Sequence, residues 1–225
     1  MENNLNIANL DWEDYASRAG GGIYRGFELP PPPTAEEKAE AERRARLEEQ
    51  HRQERERLAA ELRYWGGRLP SDRVRAAGGS AQAIARLDIG LAEAIAAASP
   101  DTQRSIARWV ARRAYEVAGI ADLDWVAPAL RALGQEQELP PPFDDREQVW
   151  PVLFRDPRVP RTTVVSIDGR IPNLLRAAMA VPALFAAAGP DPLDAALKAL
   201  YAAAVTFGRD DYPALLEEVR RTYSL

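Results

Sequence analysis

From Thr34 to Tyr64 the chain contains neither glycine nor proline and is built mainly from Ala, Glu, Arg, Leu and Gln. These residues lose little freedom in a helix, so the run predicts one long helix. Thr34 is placed as the N-cap, and Glu37 three residues on completes a capping box. Opposite charges recur at helical spacing, as in Glu42–Arg46, Glu48–Arg52 and Glu56–Arg52. From Glu48 to Arg57 there is no apolar residue at all. A coiled-coil seam would then carry charges at its a and d positions, which excludes one. The run reads as a solvated single helix that meets a core only where Leu58, Leu62, Tyr64 and Trp65 return, and Gly66-Gly67 ends it. His51, the one histidine of the chain, lies in this charged run and reads as a surface imidazole, since a metal site or a general base needs partners it lacks.

Before this helix, residues 1–33 read as a flexible arm. Gly20-Gly21-Gly22 maximises backbone freedom, and Pro30 to Pro33 forms a polyproline II spacer. The arm carries large apolar side chains, among them Trp12, Tyr15, Tyr24 and Phe27, which a purely solvating tail would not need. They dock either on the body of the chain or on a partner. Residues 34–66 form the charged helix, and residues 67–225 a compact helical domain.

Within that domain Ile84, Leu87, Leu91 and Ile95 recur near a 3.6-residue period, predicting a helix over 80–98. Leu69 to Ser80 is a connector with room for one helical turn. Asp101 is placed to cap a helix running to Ala118, with Ile106, Trp109, Val110, Ala114 and Val117 on one face. Asp122 or Asp124 opens another through Leu133, and Asp144 or Asp145 a short one containing Val149, Trp150, Val152 and Leu153. Helices over 173–188, 191–207 and 210–223 complete the set. Thr162 to Ile167 is the clear strand candidate, and Asp168-Gly169 is a favoured hairpin turn. Pro172 shortens the return strand. The expected fold is all-α: an irregular bundle of about six or seven helices with one small β-hairpin-like insertion, preceded by the arm and the long charged helix.

The chain's chemistry is narrow. Of 225 residues none is cysteine, which removes thiolate catalysis, zinc ribbons and iron–sulfur clusters. No glycine-rich segment has a P-loop or dinucleotide pattern, so no cofactor is expected. The net charge of −5 disfavours a dedicated nucleic-acid binder. The N-terminus has no basic start and apolar stretch of a secretory signal, and no apolar run is long enough for a bilayer, so a cytoplasmic location is the expectation. Only Lys38 and Lys198 are lysine, and the arginine and alanine excess is explained by a GC-rich genome. The pairs Asp144–Asp145, Asp210–Asp211 and Glu217–Glu218 read as helix caps or solvated faces.

Two features rise above this background. Arg104, Arg108 and Arg112, with Arg113 beside them, form an i, i+4, i+8 stripe that either binds an acidic or phosphate partner or pairs with acids elsewhere. The segment Asp156 to Ile171 is the least generic part of the domain: a recognition loop, or a connector covering the edge of the core. The expected function is a non-enzymatic protein–protein interaction protein: an adaptor, a toxin-neutralising protein or a complex-assembly subunit. Its expected partner is another protein or a second copy of the chain, met through Trp12, Tyr15, Tyr24, Phe27, Arg104, Arg108 and Arg112. The alternatives are an enzyme that turns convergent Asp, Glu and Arg residues on a phosphorylated substrate, and a nucleic-acid-associated protein using the Arg104–Arg113 stripe.

Overall fold

The computed structural model describes residues 33–225, so Trp12, Tyr15, Tyr24 and Phe27 lie outside the described residues. The chain divides into two units, residues 1–54 and 55–225. The long helix α1 (Ala35–Tyr64) begins in the first and ends in the second. Its capping box forms as the sequence predicts. Thr34 Oγ1 accepts from the Glu37 amide at 3.2 Å, and the Thr34 amide donates back to Glu37 Oε2 at 2.7 Å. That reciprocal bond holds the Glu37 carboxyl below its ordinary range. In the first unit the helix buries none of its residues and is laced by Arg44–Glu40 at 2.5 Å, Arg46–Glu42 at 3.9 Å and Arg52–Glu49.

In the second unit the last turns of α1 acquire a core partner. Trp65 is buried, Glu61 accepts from Arg75 at 2.9 Å, and Gln82 donates to the Tyr64 carbonyl at 2.9 Å. Gly66 and Gly67, both at positive φ, turn the chain away. The anticipated short turn is α2 (Asp72–Ala76), capped by Ser71. Seven helices follow: α3 (Gly79–Ala97), α4 (Pro100–Val117), α5 (Ala127–Gly134), α6 (Val149–Arg155), α7 (Arg176–Ala187), α8 (Pro192–Phe207) and α9 (Tyr212–Tyr223). Strand β1 (Thr163–Val164) pairs antiparallel with β2 (Leu174–Leu175), in register Thr163 with Leu175 and Val164 with Leu174. Among the described residues this is an all-α bundle with one two-stranded insertion.

The bundle is organised around α8. Ala195, Ala196, Leu197, Ala199, Leu200, Ala202, Ala203 and Ala204 are all buried, and the helix packs against α3, α4, α7 and α9. A helix touched on so many sides must be apolar nearly all round, and alanine lets its neighbours approach closely. The two buried polar side chains among the described residues, Thr206 and Gln103, are satisfied locally. Thr206 Oγ1 donates to the Ala202 carbonyl at 2.8 Å. Gln103 donates to the Ile95 and Ala98 carbonyls at 2.9 and 3.2 Å, closing the end of α3.

Several boundaries differ from the sequence expectation for identifiable reasons. Ser99, not Asp101, caps α4, because Pro100 takes the first helical position. Turns occupy 121–126, so α5 starts at Ala127 rather than at Asp122 or Asp124. Asp145 accepts from the Glu147 amide at 2.9 Å in a turn that precedes α6, rather than capping it. Leu174 and Leu175, read as helix, complete the hairpin before α7 begins.

Candidate functional site

The predicted arginine stripe is largely consumed inside the protein. Both terminal nitrogens of Arg104 donate to the carbonyls of Gly189 and Pro190, which follow the end of α7. Arg108 pairs with Glu136. Arg113 donates to Glu116 at 2.8 Å and to Glu218 at 3.2 Å, and lies 6.0 Å from the Trp109 ring. Arg112 is exposed and is the member of the stripe with neither a side-chain hydrogen bond nor an ion pair among the described residues. Arg104 and Arg108 do line one cavity of about 260 Å³, with Glu136, Gln137 and Pro190. Their guanidinium groups already hold acceptors there, so the cavity's positive charge is partly spent.

A different surface stands out at α6. This helix has seven residues, and six of them, Val149 to Phe154, are apolar. Two turns cannot bury six large side chains on one side. Val149 and Leu153 take the core, Trp150 is half-buried against it, and Phe154, one turn on from Trp150, is exposed. Phe154 is 51 % exposed, and its ring stacks on Trp150 with centroids 6.2 Å apart and planes 22° from parallel. Arg161 donates to the Phe154 carbonyl at 3.1 Å and fixes the end of the helix. Arg155, next to the pair, has no ion-pair partner among the described residues. From Arg146 to Arg176 the chain carries six arginines against three acids, a basic stretch in a protein that is acidic as a whole. The signal was present in the sequence as an apolar run too short to bury itself.

The loop after α6 is held rigid by Asp156. Its carboxylate accepts from the Arg158 side chain at 2.7 Å, from the Arg158 amide at 2.9 Å and from Trp125 Nε1 at 2.9 Å, and Arg158 also reaches Asp124 at 2.8 Å. The Arg158 guanidinium first, then the amide and indole donors, hold the Asp156 carboxyl far below the carboxylate range. A depressed folded-state value stabilises the fold above the unfolded value of about 4 and is lost as pH falls through and below it. Asp156→Asn is therefore expected to lower the melting temperature at pH 7, and its gap to wild type is expected to start narrowing as pH falls below about 4. Parallel thermal melts across that range check this, and a gap that is constant with pH would refute it.

A second polar site lies where the hairpin meets α8 and α9. Thr163, Asn173, Arg176, Gly208, Arg209, Asp210 and Asp211 border a pocket of about 150 Å³. Gly208 leaves α8 at φ 81 and packs on Val164, and the Arg209 amide donates to the Val165 carbonyl at 3.1 Å. Arg176 opens α7, and its side chain is 22 % exposed. Its nearest carboxylate oxygen, on Asp211, is 3.6 Å away, outside hydrogen-bond reach, and its Nε is buried with no partner. Sequence reading singled out the Asp156–Ile171 segment but gave no sign that Arg176 and Arg209 would meet beside it.

Among the described residues no three His, Asp or Glu side chains are placed to hold a metal ion, and no helix is long and apolar enough to cross a membrane. No protein-family profile, curated protein or solved structure matches the chain.

Proposed function

We propose that this chain is a non-enzymatic protein–protein interaction protein, an adaptor or assembly subunit that docks an acidic segment of another protein on the outer face of α6. The exposed Phe154 ring, stacked on the half-buried Trp150, carries this reading. Large aromatic side chains are the commonest anchors of protein interfaces, because a rigid ring buries much area at little conformational cost. The flanking Arg155 and Arg161 fit an acidic rather than a basic partner. The arm residues Trp12, Tyr15, Tyr24 and Phe27 supply a second set of anchors in the same reading.

The test uses the full chain as bait in its native extract, with Phe154→Glu as a matched bait. A side chain half in solvent tolerates substitution, so the variant is expected to fold as wild type by circular dichroism. The expected result is one stoichiometric partner on wild type, bound at least about tenfold more weakly by the variant. A partner held equally by both baits, or none held by wild type, overturns the proposal.

A further inference from the structure

We propose that the pocket between the hairpin, α8 and α9 binds a small phosphate-bearing ligand through Arg176 and Arg209, a role separate from protein docking at α6. Arg176 is mostly enclosed, yet its guanidinium makes no hydrogen bond to the described residues. A guanidinium presents five N–H donors in a fixed fork, and burying it without acceptors is costly. Among the described residues its nearest anion is Asp211, 3.6 Å away, which leaves its N–H donors open to a further acceptor. Arg209 has no hydrogen-bond or ion-pair partner for its side chain among the described residues, and it lies across Gly169, where any β-carbon would collide with it. Gly169 thus leaves room for Arg209, a second cation bordering the same pocket.

Three further features set the ligand's class. Helices α7 and α9, each of 12 residues, both begin at this pocket, and their N-terminal ends favour negative charge. The volume of about 150 Å³ is roughly five times a liquid water's share of about 30 Å³, enough for a phosphate with a small organic substituent. Two guanidinium groups match a dianion with several acceptor oxygens better than they match a single carboxylate. Asp210 and Asp211 oppose any anion. Both are exposed, so solvent screens them more than it screens the enclosed Arg176. Asp211, 3.6 Å from Arg176, would have to give way to the anion.

The test is an amide chemical-shift titration of the full chain at constant ionic strength, with inorganic phosphate, glycerol 3-phosphate and acetate as probes. Saturable shifts at Asn173, Arg209 and Asp210 are expected with the phosphate probes, and much weaker ones with acetate. Tighter binding of glycerol 3-phosphate would place an organic monoester in the pocket; equal binding would place the phosphate group alone. Arg209→Gln is expected to weaken binding about tenfold, the value of one charge-assisted hydrogen bond. Asp210→Asn is expected to tighten it several-fold, and this second exposed variant keeps the test decisive if the first folds poorly. The proposal fails if neither phosphate probe saturates, if acetate binds as well, or if both variants bind as wild type does.

Discussion

Replacing Gly208 with alanine is expected to cost about 3 kcal/mol of folding stability, the sum of a backbone term and a packing term. The backbone term arises because φ 81 and ψ 176 lie in a region that is essentially glycine's own, where other residues lose about 1–3 kcal/mol. The packing term arises because an added β-carbon would sit 2.8 Å from Val164 Cβ and 3.2 Å from both Val164 Cγ1 and the Val165 carbonyl oxygen. None of these atoms can swing aside, since β1 is fixed by its pairing with β2 and by the Arg209 amide on Val165. Relief would require β1 to move as a unit. Thermal melting should show a drop of about 6–12 °C for a chain of this size. Exchange of the Arg209 amide should also accelerate more than that of the α8 amides, because the hairpin is what gives way. A loss below about 1 kcal/mol would mean that the hairpin shifts freely against α8, and the pocket beside it would then have no fixed wall.

That example marks where sequence reading reaches and where it stops. Phe207-Gly208 was legible as a helix end, because an apolar period stops there and glycine suits the position after a helix. Val164 as the neighbour that requires glycine was not legible, since 44 residues of chain separate the two and no local pattern records the contact. The same division runs through the whole fold. Thr34 and Glu37 are three residues apart, and their reciprocal bonds follow from spacing alone. The Asp168-Gly169 turn and Asp191 as the cap of α8 are equally local. Arg104 shows the converse. Helical spacing placed it correctly on one stripe with Arg108 and Arg112, but its acceptors are carbonyls 85 and 86 residues away. Whether an arginine is free to bind a ligand depends on such distant acceptors. Arg104 and Arg176 therefore look alike in sequence, while among the described residues one donates to two carbonyls and the other makes no hydrogen bond, with Asp211 at 3.6 Å.

Asp88→Ala is the second large loss expected, about 2–3 kcal/mol, although position 88 reads in sequence as an ordinary polar site on a regular helix. The period of Ile84, Leu87, Leu91 and Ile95 runs straight through it, and a continuous helix is what that period predicts. Instead Asp88 has φ −158 and ψ 95, extended values that break α3 into two segments. Its carboxylate makes the break tolerable in two ways. Oδ1 accepts from the Leu91 amide at 2.9 Å, which caps the second segment, and Oδ2 accepts from Arg220 of α9 at 2.6 Å. Losing a cap costs about 1 kcal/mol. Losing a charge-assisted bond costs about 1.5 kcal/mol more, taken at the low end because Asp88 and Arg220 are 24 % and 27 % exposed and water reaches both. Asparagine caps as well as aspartate but carries no charge, so Asp88→Asn should lose only the second part. Denaturant unfolding of wild type, Asp88→Asn and Asp88→Ala should then give three separate midpoints in that order. Equal losses for the two variants would show that the cap contributes nothing. In that case the tie to α9 alone holds α3 in its broken form, and Arg220→Gln should destabilise as much as Asp88→Ala.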